Sequence, residues 1–235
     1  MFFTKFFMRY RERSQKIKAC IFDLDGVLVD TAIYHYRAWK KLAQSLGFDF
    51  SKEDNEHLKG VNRISSLKMI LSWAGLQKSE EEIERLAELK NQWYKEMIGM
   101  MNAGHILLGV EDFLKELKEA DYLLAVGSAS KNAEALLMKT GLRHYFDVVI
   151  DGTVVSESKP DPAVFLKAAE CLSVDPVCCV VFEDAQAGVE AALRAGMMVI
   201  GVGKVEDLRE ACEVVSGLHE LNVKKLCSIL KENAN

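Results

Sequence analysis

Six polar residues of this sequence occupy positions where they could carry out phosphoryl chemistry. Each follows a short apolar run or stands in the crossover that leads to the next run. In open parallel sheets, ligands bind beyond the carboxyl ends of the strands, so these residues are expected to converge. The set contains four carboxylates, one hydroxyl and one ammonium group. The six residues are Asp23, Asp25, Ser128, Lys159, Glu183 and Asp184.

The four carboxylates predict a bound cation. Clustered acids repel one another unless a positive ion lies among them, and a ligand set made only of oxygens suits Mg²⁺. Ser128 and the free N–H groups of a helix expected to start near Lys131 would bind a phosphate. Lys159 would balance the negative charge that develops during transfer. Together these groups predict a Mg²⁺-dependent phosphoryl-transfer site.

Each residue taken singly also has a simpler explanation. A carboxylate after a strand is often a turn or helix-cap residue, Ser128 could be an N-cap, and Lys159 could be solvated. Glu183 and Asp184 could simply favour the N-terminus of a following helix. Four such groups in the correct order along alternating strands and helices are much harder to explain in this way.

The elements that must position these residues alternate along the chain. Strands separated by helices form βαβ units, which build a parallel sheet. The predicted strands span residues 19–22, 122–126, 146–150, 177–182 and 197–202, and the predicted helices span 110–120, a segment from 131, 162–172 and 185–195.

The segment from Ala32 to about Met101 interrupts this alternation. Its apolar residues recur at helical spacing, and Gly47, Gly60 and Gly75 divide it into about four helices. The predicted fold is therefore α/β, a Rossmann-like parallel sheet core with an inserted all-helical cap domain. The predicted divisions are an N-terminal extension 1–16, a core of 17–31 and 106–235, and a helical cap 32–105.

Composition limits the partners and the compartment. A net charge of −5 over 235 residues, with no concentrated basic stripe, argues against nucleic acid. The apolar part of residues 1–16 is too short to span a bilayer and has charges after it, which argues against a signal peptide or a stable membrane association. Six scattered cysteines without a metal-binding spacing indicate reduced thiols and a cytoplasmic protein. The expected oligomeric state is a monomer.

The strand-end motifs resemble the haloacid dehalogenase-like superfamily over about residues 17–230. The D-x-D motif of that superfamily matches Asp23-Leu24-Asp25, and its hydroxyl, lysine and acidic pair match the remaining groups in order. The segments FDLDGVLVDTAIYHYRAWK, LKGVNR, GSASKN and SKPDP are similar to the β-phosphoglucomutases of that superfamily. This resemblance implies interconversion of β-glucose 1-phosphate and glucose 6-phosphate through a bisphosphate intermediate.

The resemblance also implies the roles of individual residues. Asp23 is the expected phosphorylated nucleophile and Asp25 the expected general acid and base. Asp23, the backbone carbonyl of Asp25 and Asp184 would hold Mg²⁺, with Glu183 nearby. The expected substrate-binding residues are Thr31, His35, Trp39, Lys59, Gly60, Arg63, Ser66, Ser130, Lys131 and Asn132.

The cap residues among these have alternative explanations. Thr31, His35 and Trp39 are four residues apart and share one helix face, but Trp39 could equally be a packed core aromatic. Lys59 and Arg63 could lie on a solvated face. A positive pair would instead suit a second, non-reacting phosphate, and the two would share a face if the turn between them is helical.

Two other functions remain open from the sequence. A phosphatase of the same superfamily would transfer the phosphoryl group from Asp23 to water, and the core motifs do not separate it from a mutase. A non-catalytic protein that binds phosphorylated ligands could share the fold. The intact pair Asp23 and Asp25 argues against the latter, because binding alone needs no acid or base two residues after a nucleophile.

Overall fold

The computed structural model describes residues 17–233, so the predicted N-terminal extension lies outside the described part. One sheet forms the centre of the core. Its strands are β1 (Ala19–Phe22), β2 (Leu123–Gly127), β3 (Val148–Ile150), β4 (Cys179–Glu183), β5 (Met198–Val202) and β6 (Glu213–Val215). They are parallel and lie in the order β3-β2-β1-β4-β5-β6. The predicted parallel α/β core is confirmed.

The register of the sheet brings the carboxyl ends of the central strands level. Phe22, the last residue of β1, is paired with Val126 of β2 and Phe182 of β4. The Phe22 and Phe182 rings stack with centroids 4.5 Å apart. Because β1 and β4 are buried on both faces, they are continuous apolar runs, and the first polar residues appear where they end.

Helices cover both faces of the sheet. Residues that alternate along β1 belong to two separate apolar clusters, since successive side chains point to opposite faces. The core helices are α5 (Val110–Glu119), α6 (Ala133–Thr140), α7 (Ala163–Leu172), α8 (Gln186–Arg194) and α9 (Val223–Glu232), after the four cap helices given below. Both β6 and α9 follow the last predicted strand and were not predicted from the sequence.

Four helices form the inserted block: α1 (Ala32–Ser45), α2 (Lys52–Glu56), α3 (Arg63–Trp73) and α4 (Glu80–Ile98). Side-chain oxygens of Ser51, Asn62 and Ser79 cap the last three of them at their N-termini. Trp39 and other apolar side chains of the block pack into a cluster separate from the two clusters of the sheet. The block therefore has its own core, as a cap domain requires.

Two antiparallel linkers join the block to the sheet. The Asp30 N–H donates to the His105 carbonyl at 3.0 Å, and the Leu107 N–H donates to the Leu28 carbonyl at 3.1 Å. The division of the chain at residues 32 and 105 stays a prediction. Among residues 17–233, no helix combines the length and apolar composition needed to cross a membrane.

Candidate active site

Asp23 is the first residue after β1 and is held by a buried lysine. The Lys159 Nζ lies 2.5 Å from Asp23 Oδ1 and 2.9 Å from Glu183 Oε2. Burial alone would lower the pKa of Lys159, but the charges of Asp23 and Glu183 outweigh burial and raise that pKa above its ordinary value. The lysine is therefore a fixed positive charge beside the carboxylate of the predicted nucleophile.

Three carboxylates form a cluster at this edge of the sheet. Oxygens of Asp23, Glu183 and Asp184 lie within 4.8 Å of one another. Glu183 Oε1 is buried and has no hydrogen-bond partner among the described residues. Burial, followed by the charge of Asp23, raises the pKa of Asp184 to about 7. This oxygen-only donor set fits a hard cation such as Mg²⁺.

Asp25 contacts residues at the start of the cap. The Thr31 hydroxyl donates a hydrogen bond to Asp25 Oδ1, and His35 Nε2 lies 3.8 Å from the same oxygen. Burial, followed by the charge of Asp23, raises the pKa of Asp25 to about 6. A carboxyl group with such a pKa can exchange a proton near neutral pH. The predicted use of its backbone carbonyl by the metal stays a prediction.

Gly26 is required where the loop after Asp25 turns back. Its φ of +86° lies in the left-handed region, and a Cβ at this position would collide with the Asp184 carboxylate. The glycine therefore allows the first and fourth strand ends to approach closely enough to share a ligand.

A cavity of about 610 Å³ separates this edge of the sheet from the cap. Its volume is in the range of small-molecule sites. The predicted residues that line it are Asp23, Asp25, Ser128, Ser130, Lys131, Asn132 and Asp184 from the core, and His35, Trp39, Lys59, Gly60, Arg63 and Ser66 from the inserted block.

Three predicted residues do not line the cavity. Lys159 and Glu183 are buried behind Asp23, where Lys159 forms ion pairs with both carboxylates. Thr31 is fully buried at the start of α1 and bonds Asp25, so the structure gives it a contact with the candidate acid and base and not with the cavity. Trp39 packs in the cap core and also lines the cavity, so both explanations of this residue hold.

The loop after β2 folds into a compact polar turn. The Ser130 N–H donates to Ser128 Oγ at 3.1 Å, and the Asn132 N–H donates to Ser130 Oγ at 3.2 Å. Asn132 Nδ2 reaches across the cavity to Asn91 Oδ1 of α4 at 3.1 Å. Because α6 starts directly after this turn, the loop presents hydroxyl groups and a helix N-terminus to the cavity.

Arg63 brings a positive charge to the cap side of the cavity. The residue begins α3, and its Nη1 lies 3.4 Å from Glu88 Oε2 without forming a hydrogen bond to any described residue. Burial lowers the pKa of Arg63 and the neighbouring charge of Glu88 raises it. A buried donor that forms no hydrogen bond is costly, so this group favours an anion that could bond it more closely than Glu88 does.

Lys59 does not share a helix face with Arg63. Residues 57–60 form a turn, Gly60 has a φ of +72°, and α3 begins only at Arg63. Lys59 Nζ instead lies 2.8 Å from Glu56 Oε2 and 3.3 Å from Asp184 Oδ2. The helical geometry considered for this pair is wrong, because the positive φ of Gly60 turns the chain out of the helical path.

Lys90, a buried lysine on the cap side of the cavity, was not predicted from the sequence. Only 3% of Lys90 is exposed. Its Nζ lies 3.1 Å from His35 Nδ1 and 4.4 Å from the centre of the Trp39 ring. Burial, followed by the charge of Arg63, lowers the pKa of Lys90 from 10.5 to about 7.

The signal for Lys90 was present in the helical pattern of α4. Ile83, Ala87, Tyr94 and Ile98 repeat at helical spacing and are buried. Lys90 falls on the same stripe as these apolar residues. A charged residue on an apolar stripe is either paired or functional. A search for such residues would therefore have identified Lys90 from the sequence.

Comparison with known proteins agrees with this geometry. The chain is 37% identical to the β-phosphoglucomutase of Bacillus subtilis over 212 residues, which cover 89% of this chain and 94% of that protein. It is 32% identical to a phosphorylated carbohydrates phosphatase of Thermotoga maritima over 221 residues, 92% of this chain and 99% of that protein. The crystal structure of a β-phosphoglucomutase from Clostridium difficile matches with a TM-score of 0.89 and 40% identity, and covers 92% of this chain and 98% of that one.

The predicted resemblance to the superfamily, and to its β-phosphoglucomutases, is thus confirmed. Residues 17–196 match the haloacid dehalogenase-like hydrolase family, and this range contains all six residues of the strand-end set. The chain belongs to the haloacid dehalogenase-like hydrolase family.

Proposed function

We propose that the protein interconverts β-D-glucose 1-phosphate and D-glucose 6-phosphate, with an aspartyl-phosphate enzyme and glucose 1,6-bisphosphate as intermediates. One observation carries this proposal: cationic groups stand on both sides of the cavity. Lys159 stands behind Asp23 on the core side, and Arg63 and Lys90 lie on the cap side. A ligand with phosphates at both ends matches this arrangement, whereas a single phosphate would reach the cations of one side only.

The reaction begins at Asp23. One carboxylate oxygen of Asp23 forms a bond to phosphorus as the bond between phosphorus and the sugar oxygen breaks, and Asp25 donates a proton to the leaving oxygen. In the other half-reaction, a sugar hydroxyl gives its proton to Asp25 and takes the phosphoryl group from Asp23. The other oxygen, Asp23 Oδ1, accepts a hydrogen bond from Lys159, which would offset its negative charge.

Asp23, Asp184 and the backbone carbonyl of Asp25 would hold Mg²⁺, with Glu183 beside them. When bound, the ion neutralises phosphate oxygens and allows an anionic carboxylate to approach them. Ser128 and the turn that follows it would bind the transferring phosphate. Arg63 and Lys90 would hold the phosphate that does not react, and His35, Trp39 and Ser66 would contact the sugar, as the cavity lining permits.

The pair His35 and Lys90 supports the assignment of Asp25. Burial, followed by the charge of Lys90, lowers the pKa of His35 well below its ordinary value, so the imidazole is neutral. A neutral ring that accepts from Lys90 at Nδ1 carries its proton on Nε2, which lies on the side of Asp25. The Nε2 proton is buried without a hydrogen-bond partner among the described residues, so it is free to turn towards a substrate oxygen or Asp25.

A phosphatase is the second candidate function. The Thermotoga maritima relative is named a phosphatase, and the core groups would serve that reaction equally well. In a phosphatase, water would accept the phosphoryl group and Arg63 would have no second phosphate to bind. A protein that only binds phosphorylated ligands is a third candidate, and it would leave Asp23 unphosphorylated.

One incubation separates the three functions. The protein is mixed with Mg²⁺, β-glucose 1-phosphate and a trace of glucose 1,6-bisphosphate, and glucose 6-phosphate is resolved from inorganic phosphate. We expect glucose 6-phosphate as the main product, and none after chelation of the metal. Inorganic phosphate as the main product would identify a phosphatase, and no conversion of the sugar phosphate would identify a binding protein.

The remaining parts of the proposal concern the cell. We propose a monomeric cytoplasmic enzyme of carbohydrate metabolism that takes a small sugar phosphate and has no nucleic-acid partner. The six cysteines are free thiols, which supports a reducing compartment. The molecular mass in solution, measured by light scattering, tests the monomer directly.

A further inference from the structure

The Asn62 side chain and backbone N–H make three hydrogen bonds at the point where the cap meets the core. Its Oδ1 accepts from the Ser65 N–H at 2.9 Å, which caps α3. Its backbone N–H donates to Ser158 Oγ at 3.1 Å, and its Nδ2 donates to the Ser156 carbonyl at 3.1 Å. One residue therefore both starts a cap helix and fastens that helix to a loop of the core.

The residues next to these hydrogen bonds belong to the candidate site. Arg63 follows Asn62 in the chain, and Lys159 follows Ser158. The turn before Asn62 also packs on the core, since a Cβ at Gly60 would lie 3.5 Å from the Lys159 side chain and 3.7 Å from Ala185. The hydrogen bonds of Asn62 thus join the segment that carries Arg63 to the segment that carries Lys159, the lysine bound to Asp23.

We propose that Asn62 is a positioning residue that holds the cap closed over the phosphorylated enzyme, so that the phosphoryl group passes to a sugar and not to water. The inference rests on the proposed function. With Asn62 bound to the core, Arg63 is held against the cavity and the cap excludes solvent from Asp23. When the two hydrogen bonds from Asn62 to the core are broken, the cap opens more often and water competes for the phosphoryl group.

Two substitutions separate this role from helix capping. Asn62→Ser keeps an N-cap oxygen of similar quality but removes the Nδ2 donor to Ser156. Ser158→Ala removes the acceptor of the Asn62 N–H and leaves α3 unchanged. Asn222 is the matched control, because its Oδ1 caps α9 by accepting from the Lys225 N–H at 2.8 Å. Asn222→Ser changes the same kind of cap on a helix of the core.

The assay follows the fate of the phosphoryl group. Asp23 is phosphorylated with labelled acetyl phosphate and Mg²⁺, the excess donor is removed, and β-glucose 1-phosphate is added. The label is then divided between glucose bisphosphate and inorganic phosphate. A net hydrogen bond is worth enough to change an equilibrium roughly 2- to 13-fold. Asn62→Ser and Ser158→Ala should each raise the ratio of inorganic phosphate to bisphosphate by such a factor.

Three readouts decide the question. Phosphorylation by acetyl phosphate should keep its wild-type rate in both variants, and Asn222→Ser should divide the label as wild type does. An Asn62→Ser variant that also divides the label as wild type does would mean that Asn62 only caps α3, and the inference would be overturned. Failure of Asn62→Ser and Ser158→Ala to accept the phosphoryl group on Asp23, with Asn222→Ser unaffected, would overturn it as well.

Failure of the proposed function gives a different pattern. A wild-type enzyme that forms no bisphosphate is not a mutase, and the role of Asn62 is then read from the lifetime of the phosphorylated enzyme in water alone. Asn62→Ser should shorten that lifetime relative to Asn222→Ser. Equal lifetimes in these two variants would reject the inference independently of which sugar, if any, is the acceptor.

Discussion

Lys90 should destabilise the cap in a manner that depends on pH. The protein holds this lysine with a pKa of about 7, whereas its ordinary value is 10.5. Between these two values the unfolded chain binds more protons at this position than the folded one, so the free energy of unfolding rises as pH rises. The cost of burying the charge is therefore largest at and below about pH 7 and disappears above the ordinary pKa.

The magnitude follows from the size of the shift. Each unit of pKa corresponds to about 1.4 kcal/mol, and most of the linkage lies between the two pKa values. Between about pH 6 and about pH 9, the titration of Lys90 should raise the free energy of unfolding by about 3 kcal/mol. Lys90→Met removes the titrating group and keeps a long apolar side chain against Trp39. The variant should therefore be more stable than wild type at the lower pH, and the difference should shrink by that amount at the higher pH.

Urea unfolding followed by tryptophan fluorescence is the appropriate assay. The three tryptophans of the chain are Trp39, Trp73 and Trp93, which lie within the inserted helices, so the signal reports on the cap. Lys41→Met is the matched control, because Lys41 lies 4.1 Å above the Trp93 ring but is exposed. The control should keep the pH dependence of wild type. Parallel pH profiles for wild type and Lys90→Met would refute the conclusion that the charge of Lys90 is buried at a cost.

Four further substitutions test the site. Asp23→Asn should abolish turnover. An acyl phosphate trapped on the variant after acid quench would contradict the assignment of Asp23 as the nucleophile. Asp25→Asn should slow phosphoryl transfer by roughly 10² to 10⁴ while Mg²⁺ binding by calorimetry persists, and loss of metal with full activity at saturating Mg²⁺ would reverse that assignment. Arg63→Lys should reduce conversion of β-glucose 1-phosphate more than phosphorylation by acetyl phosphate, because a guanidinium grips phosphate with a planar fork, and equal losses would leave Arg63 without a role at the second phosphate. Gly188→Ala should weaken Mg²⁺ affinity, because its Cβ would displace the Glu183 carboxylate, and unchanged affinity would separate Glu183 from the metal site.

The sequence determined the parallel core and the composition of the strand-end set. Buried strands such as β1 and β4 are continuous apolar runs. In the sequence, the first carboxylate after such a run marks the end of the strand, as Asp23 does after Phe22. The alternation of these runs with helical patterns predicts parallel strands, because successive parallel strands need a crossover. The short edge strand β6 escaped prediction, since three residues with an exposed Glu213 carry almost no pattern.

Only the tertiary structure decided which charges meet and which are buried. Lys159 and Glu183 are 24 residues apart in sequence, yet their contact of 2.9 Å depends on how the crossover packs against β4. Lys90 became a buried cation because α1 and α4 pack together and bring His35 and Trp39 against it. A single sequence reports local periodicity, whereas the pKa of a side chain depends on groups from several elements. For the same reason, the connection of Asn62 to the core could not be predicted from the sequence and became apparent only in the folded chain.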